Sequence, residues 1–168
     1  MSTRRLIVLR HAKSDWGSEA QGDHARPLNE RGRRNAPRVA ERLRELGWVP
    51  QVVVSSDATR TRETWACMQI AFEAAPGGGP SVTFTRSLYL MGIDEIRAAL
   101  RELPPTVDTV MMLGHNPGWE DAVHELSGVR VRMTTCNAAL LHTEAERWSD
   151  AATRTDWTLE ALLRPKEL

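Results

Sequence analysis

Residues Leu6-Ile7-Val8-Leu9 form an unbroken apolar run that stops abruptly at Arg10-His11. A short apolar run ending in charge has the length of a buried strand, and a strand buried on both faces belongs in a parallel sheet covered by helices. In such sheets ligands bind beyond the C-terminal ends of the strands. Arg10 and His11 therefore stand where chemistry is expected. The dipeptide is weak on its own and gains meaning only from what other strands deliver to the same edge.

Two further strands answer it. Val52-Val53-Val54 runs into Ser55-Ser56-Asp57, and Val107 to Leu113 runs into Gly114-His115-Asn116-Pro117-Gly118. Ser56 is expected to cap a helix from Asp57 to about Ala74, which places Arg60 just inside the first turn, with Arg60, Glu63 and Thr64 on one side. Three strand ends carrying Arg10-His11, Ser55 with Arg60 beyond it, and Gly114-His115 point to one shared site.

The remaining chain supplies the covering layers. Ala12 to Leu28 reads as a long polar loop, of a length that is usually functional. Asn29 has the character of a helix N-cap, followed by a helix from about Glu30 to Leu46 with Val39, Leu43 and Leu46 on one stripe and Gly47 at its stop. Pro37 is expected to kink that helix or mark a junction. Pro76-Gly-Gly-Gly-Pro80 reads as a loop, Val82 to Thr85 as an edge strand, and Ile93 to Leu103 as a helix. Another helix should pass through Ala122, Val123 and Leu126, before antiparallel strands at Met133 to His142 and Trp157 to Leu163. The expected fold is one α/β domain over residues 1–168, a three-layer α/β/α sandwich with a mostly parallel central sheet and helices on both faces.

Composition limits what such a domain does. The 168 residues carry equal numbers of basic and acidic side chains, so no long-range field draws the chain to nucleic acid or to an anionic membrane. Arginine outnumbers lysine twenty to two, and most of these arginines are expected to be solvated. Any phosphate site must come from a few placed arginines. No apolar run approaches the roughly 18 residues of a membrane span, and the N-terminus has no signal-peptide pattern, so a cytoplasmic location is expected. Cys67 and Cys136 have no metal-ligand spacing and read as buried small apolar groups.

Two histidines and two arginines at one sheet edge fit phosphoryl transfer through a phosphohistidine. Charge spreads over three equatorial oxygens in a loose transition state, so positioning and charge stabilisation do most of the work. Arginine holds two oxygens at once and keeps its charge. A neutral imidazole attacks phosphorus when its other nitrogen donates to a fixed acceptor. No cofactor or metal is required.

At these residues the chain resembles a known family. Arg10-His11-Ala-Lys-Ser14-Asp-Trp16 is similar to the RHG-type signature of the histidine phosphatase (phosphoglycerate mutase-like) superfamily. Ser56-Asp-Ala-Thr-Arg60-Thr-Arg-Glu-Thr64 resembles its second arginine motif, and Gly114-His115-Asn116-Pro117 its second histidine motif. Arg26-Pro27-Leu28-Asn29-Glu-Arg-Gly32 and the ending Arg164-Pro-Lys166 resemble the SixA-type phosphohistidine phosphatase branch. The resemblance implies that His11 is the nucleophile, that Arg10, Arg60 and His115 bind and polarise the phosphoryl oxygens, and that Ser14 lines the substrate pocket.

Three departures from the family pattern matter. Ala12 stands where glycine is usual, and Gly17 where mutase-like members commonly carry Asn. No carboxylate occupies Leu88-Tyr-Leu-Met-Gly92, the segment corresponding to the mutase-like acid, while Asp94 and Glu95 read as the first turn of a helix. An alkoxide needs a proton in order to leave, whereas phosphohistidine can leave as an imidazole that already carries one. The expected substrate is therefore protein phosphohistidine. The alternatives are a small phosphomonoester or, in another class, a phosphoprotein-binding module without turnover. Trp16 and Trp119 are expected either to pack the loop or to wall the pocket, and His24 to lie at the surface near the rim.

Overall fold

The computed structural model describes residues 1–17, 19 and 22–168, and the part of the predicted polar loop formed by residues 18, 20 and 21 lies outside them. Within the described residues six strands make one sheet: β1 (Thr3–Arg10), β2 (Val52–Ser56), β3 (Ser81–Thr85), β4 (Thr109–Gly114), β5 (Ala138–Glu144) and β6 (Thr158–Leu163). Their spatial order is β3-β2-β4-β1-β5-β6. The pairs β3·β2, β2·β4 and β4·β1 are parallel, and β1·β5 and β5·β6 are antiparallel. Among the described residues five helices accompany them: α1 (Glu30–Glu45), α2 (Thr59–Glu73), α3 (Ile93–Arg101), α4 (Gly118–Ser127) and the single turn α5 (Trp148–Ala151). None of the described helices is long and apolar enough to cross a membrane.

The side-chain alternation of β1 divides the core in two. Leu6 and Val8 point to one face, against α3, α4 and α5 through Ile96, Leu100, Trp119, Val123 and Trp148. Ile7 and Leu9 point to the other, against α1 and α2 through Val39, Leu43, Trp65, Met68 and Phe72. All four β1 residues are fully buried. Each contributes about 1.5–3 kcal/mol of apolar burial, which explains why this run reads so clearly as a central strand. The result is the three-layer α/β/α sandwich with a mostly parallel sheet.

The sheet register also fixes the edge that matters. Arg10 lies opposite Gly114, and Ser55 opposite Leu113, so β1, β4 and β2 end side by side. At the end of β4 a side chain on Gly114 would collide with the Trp119 indole, whose Nε1 donates to the Met112 carbonyl at 3.0 Å. Trp119 is thus a core residue that seats α4 against its own strand.

Several local expectations change. Asn29 does cap α1, accepting from the Gly32 amide at 2.9 Å. Pro37, however, neither ends nor divides α1, because Ala36, Val39, Ala40 and Leu43 bury the helix on both sides of it. Ser56 is not a helix cap. α2 starts at Thr59 behind Ala58, and the Ser56 hydroxyl accepts from the Ala58 amide at 3.2 Å, ahead of the helix, and from the His115 ring. The stretch from Met133 to Asn137 is not strand; the Met133 carbonyl accepts from Arg10 and Asn116, so it serves the site and β5 begins at Ala138. Cys136 is buried and Cys67 only partly so.

Candidate active site

His11, the first residue after β1, is held by its neighbours into one tautomer. Its Nδ1 lies 2.7 Å from the Ala12 carbonyl oxygen, which can only accept. Nδ1 therefore carries the proton and Nε2 is bare. That bare nitrogen faces Arg60, whose Nε donates to it at 3.4 Å. Burial pushes the imidazole well below its ordinary range, and His115, Arg60 and Arg10 push the same way. His11 is thus a neutral imidazole with its lone pair turned into a basic cluster.

His115 takes the complementary form. Arg60 Nη2 donates to its Nδ1 at 3.2 Å, so the proton sits on Nε2 and is donated to the Ser56 hydroxyl at 2.8 Å. Burial first, then the Arg60 charge, push this ring down to about 3. The rings of His11 and His115 stand 5.3 Å apart. One arginine therefore bridges two bare imidazole nitrogens, a meeting point of donors and lone pairs suited to a phosphoryl group.

Arg60 reaches this position because α2 begins directly beyond β2, and its side chain is almost wholly buried. The same helix side ties the loop down: Thr64 Oγ1 accepts from the Ala12 amide at 3.0 Å, and Glu63 accepts from the Leu28 amide at 2.8 Å. Arg10 Nη1 donates to the Met133 carbonyl at 3.0 Å, while its buried Nε has no partner among the described residues. Of the residues expected at the site, the structure brings His11, Arg60 and His115 into direct contact. Arg10 is within reach of the charges of Arg60 and Glu120. Ser14 is placed differently: it is buried and bridged to Leu28, and its hydroxyl accepts from Arg26.

Several residues of the cluster make contacts that no sequence signal assigned. Ser56 orients His115, as described. Asp23, in a 3-10 turn over Asp23–Ala25, accepts from Arg60 at 2.9 Å, from Arg26 at 2.9 Å and from Tyr89 at 2.6 Å. Burial alone would raise its carboxyl, but these three donors hold it well below the usual carboxylate range. Arg26 is stacked under Trp16, its guanidinium carbon 3.6 Å from the ring centroid, while Trp16 itself is 75% exposed. His24 is not a free surface side chain, because its Nε2 sits 2.7 Å from Asp57 Oδ1 and its ring meets the Tyr89 ring edge-on. The mutase-like segment Leu88–Gly92 thus contributes a tyrosine that holds a carboxylate from elsewhere. Among the described residues no group of three or more His, Cys, Asp or Glu is arranged to hold a metal.

Comparison with known proteins gives the family and the fold. The model of the histidine phosphatase superfamily (branch 1) matches residues 6–76. A chloroplastic protein of Arabidopsis thaliana is 40% identical over 173 residues, covering 97% of this chain and 78% of its own. Among solved structures, a candidate phosphohistidine phosphatase SixA from Nakamurella multipartitia is 31% identical, with a TM-score of 0.80 over 98% of both chains. Another candidate SixA, from Agrobacterium tumefaciens, is 25% identical, with a TM-score of 0.78 over 96% of this chain and 98% of that one.

Proposed function

Since the chain belongs to the histidine phosphatase superfamily, in its SixA-type branch, we propose that it is a metal-independent phosphatase that removes phosphate from protein phosphohistidine by way of phosphorylated His11. The observation that carries this reading is the His11 tautomer: Nδ1–H is tied to the Ala12 carbonyl and Nε2 is bare beside Arg60. In the first step Nε2 attacks phosphorus, and the bond to the leaving nitrogen breaks with its electron pair on that nitrogen. In the second, water attacks the phosphoryl group, both of its protons stay with the released phosphate, and Nε2 regains its lone pair.

The surrounding groups act on the oxygens. Arg60 gives up its contacts to the two imidazoles and turns those N–H groups toward the phosphoryl group, and the unpartnered Arg10 Nε–H joins it. His115 can donate only after its bare Nδ1 takes up a proton. The charge of an arriving phosphoryl dianion favours that uptake, and Ser56 still accepts from Nε2. Asp23, the carboxylate in contact with Arg60, is held ionised and is poorly suited to protonate an alkoxide, which supports phosphohistidine over alkyl phosphates.

The test is phosphate release from a phosphohistidine-bearing peptide and from p-nitrophenyl phosphate, by wild type and His11→Ala, with a chelator present. The expected result is peptide turnover that survives the chelator and falls at least about 10³-fold in the variant. Ester turnover without peptide turnover would instead identify a small-molecule phosphomonoesterase. Retained phosphopeptide binding without turnover of either would identify a binding module.

A further inference from the structure

Asp23 has a position that the phosphoryl-transfer steps above do not use. Its side chain is 40% exposed where that of Arg60 is 2% exposed, so it stands on the solvent side of the buried cluster. Oδ2 accepts from Arg60 Nη2 and from the Tyr89 hydroxyl, Oδ1 accepts from Arg26 Nη2, and the Asp23 carbonyl accepts from Arg60 Nη1 at 2.7 Å. Two guanidinium groups and a phenol therefore converge on one negative charge at the solvent edge of the buried cluster. His11, Arg60 and His115 are all buried, so a leaving group departs toward solvent, the side on which Asp23 is exposed.

Such a charge discriminates in two ways. It competes with any free anion for Arg60 Nη2, and it repels a leaving group that departs as an anion. It also accepts a hydrogen bond from a leaving group that bears an N–H. In phosphohistidine with its ring protonated, the P–N bond breaks with the electron pair on the leaving nitrogen, and the ring departs neutral with the proton still on its other nitrogen. That N–H is the group the carboxylate can hold. Resting on the phosphatase reading above, we propose that Asp23 is the specificity-determining residue of this site, a fixed negative charge that favours N–H-bearing leaving groups over anionic ones and limits rebinding of inorganic phosphate. The three donors on its oxygens keep the charge in place at neutral pH.

The experiment compares wild type, Asp23→Asn and Asp23→Glu. It measures kcat/KM for a phosphohistidine peptide and for p-nitrophenyl phosphate, which releases an anion, together with inhibition by inorganic phosphate. Asp23→Ser serves as a second uncharged variant should the asparagine fail to fold. The uncharged variants should lower the peptide-to-ester ratio by about tenfold and bind phosphate about tenfold more tightly, while Asp23→Glu stays near wild type. A ratio and a phosphate affinity unchanged in the uncharged variants would overturn the role of Asp23 and leave the phosphatase reading intact. A wild type that turns over only the ester would overturn both.

Discussion

His115 carries a proton linkage that reaches the stability of the whole fold. In the unfolded chain it titrates near its ordinary value, about 6.5, but in the folded protein burial and Arg60 push it down to about 3. Between those values the unfolded state binds a proton that the folded state does not, so stability falls as pH falls through this window. The full effect is on the order of 5 kcal/mol. His115→Gln should therefore lose less melting temperature than wild type between pH 7 and pH 4.5, measured by thermal denaturation. The buried His11, pushed in the same direction, would leave a residual slope. Equal losses in the two proteins would show that His115 does not carry this linkage. At this scale the sequence was informative where a side chain ends a strand: Arg10, His11 and His115 could be placed from apolar runs and their abrupt stops. Asp23 and Tyr89 could not, because contacts between segments far apart in the chain leave no periodicity, and Ser56 and Arg26 were legible as motif positions but not as partners of His115 and Asp23.

The elements around the site are coupled through close backbone approaches. Gly32, in the first turn of α1, lies against the Lys13 backbone, and a Cβ there would run into the Lys13 carbonyl. That same carbonyl accepts from the Asn29 amide at 3.0 Å, so the helix start and the segment after His11 form one unit. Gly32→Ala should cost about 1–3 kcal/mol and lower the melting temperature by roughly 3–10 °C, with peptide turnover reduced as the loop is displaced. An unchanged melting temperature and activity would mean that the loop yields without consequence. Periodicity and capping residues located α1, β2, β3 and α3 to within a few residues. Pro37 does not mark a junction, because the helix carries its buried face past it, and Ser56 lies ahead of the α2 N-cap, accepting from the Ala58 amide and from the His115 imidazole. The short helix α5 had too few residues to leave a pattern.

Over the whole molecule, one sheet serves both stability and placement. Its two faces bury the cores, and the parallel strands β2, β4 and β1 end on a common edge where the basic cluster forms. The alternation of apolar runs and helical stripes made this architecture readable. Most arginines are solvated, as composition leads one to expect. Arg4 is an exception: it is 1% exposed and donates to the carbonyls of Pro105, Val107, Ala145 and Glu146, a tie that composition could not reveal. At the opposite edge, the account stands on a single bond, that between phosphorus and His11 Nε2. Its most direct test is to mix the protein with phosphohistidine peptide, quench at alkaline pH within milliseconds, and map the phosphoryl group by mass spectrometry. The account predicts a phosphoryl group on His11, alkali-stable and acid-labile, and absent from His11→Ala. Turnover with no phosphoryl group on His11, or with one on His115 instead, would contradict it.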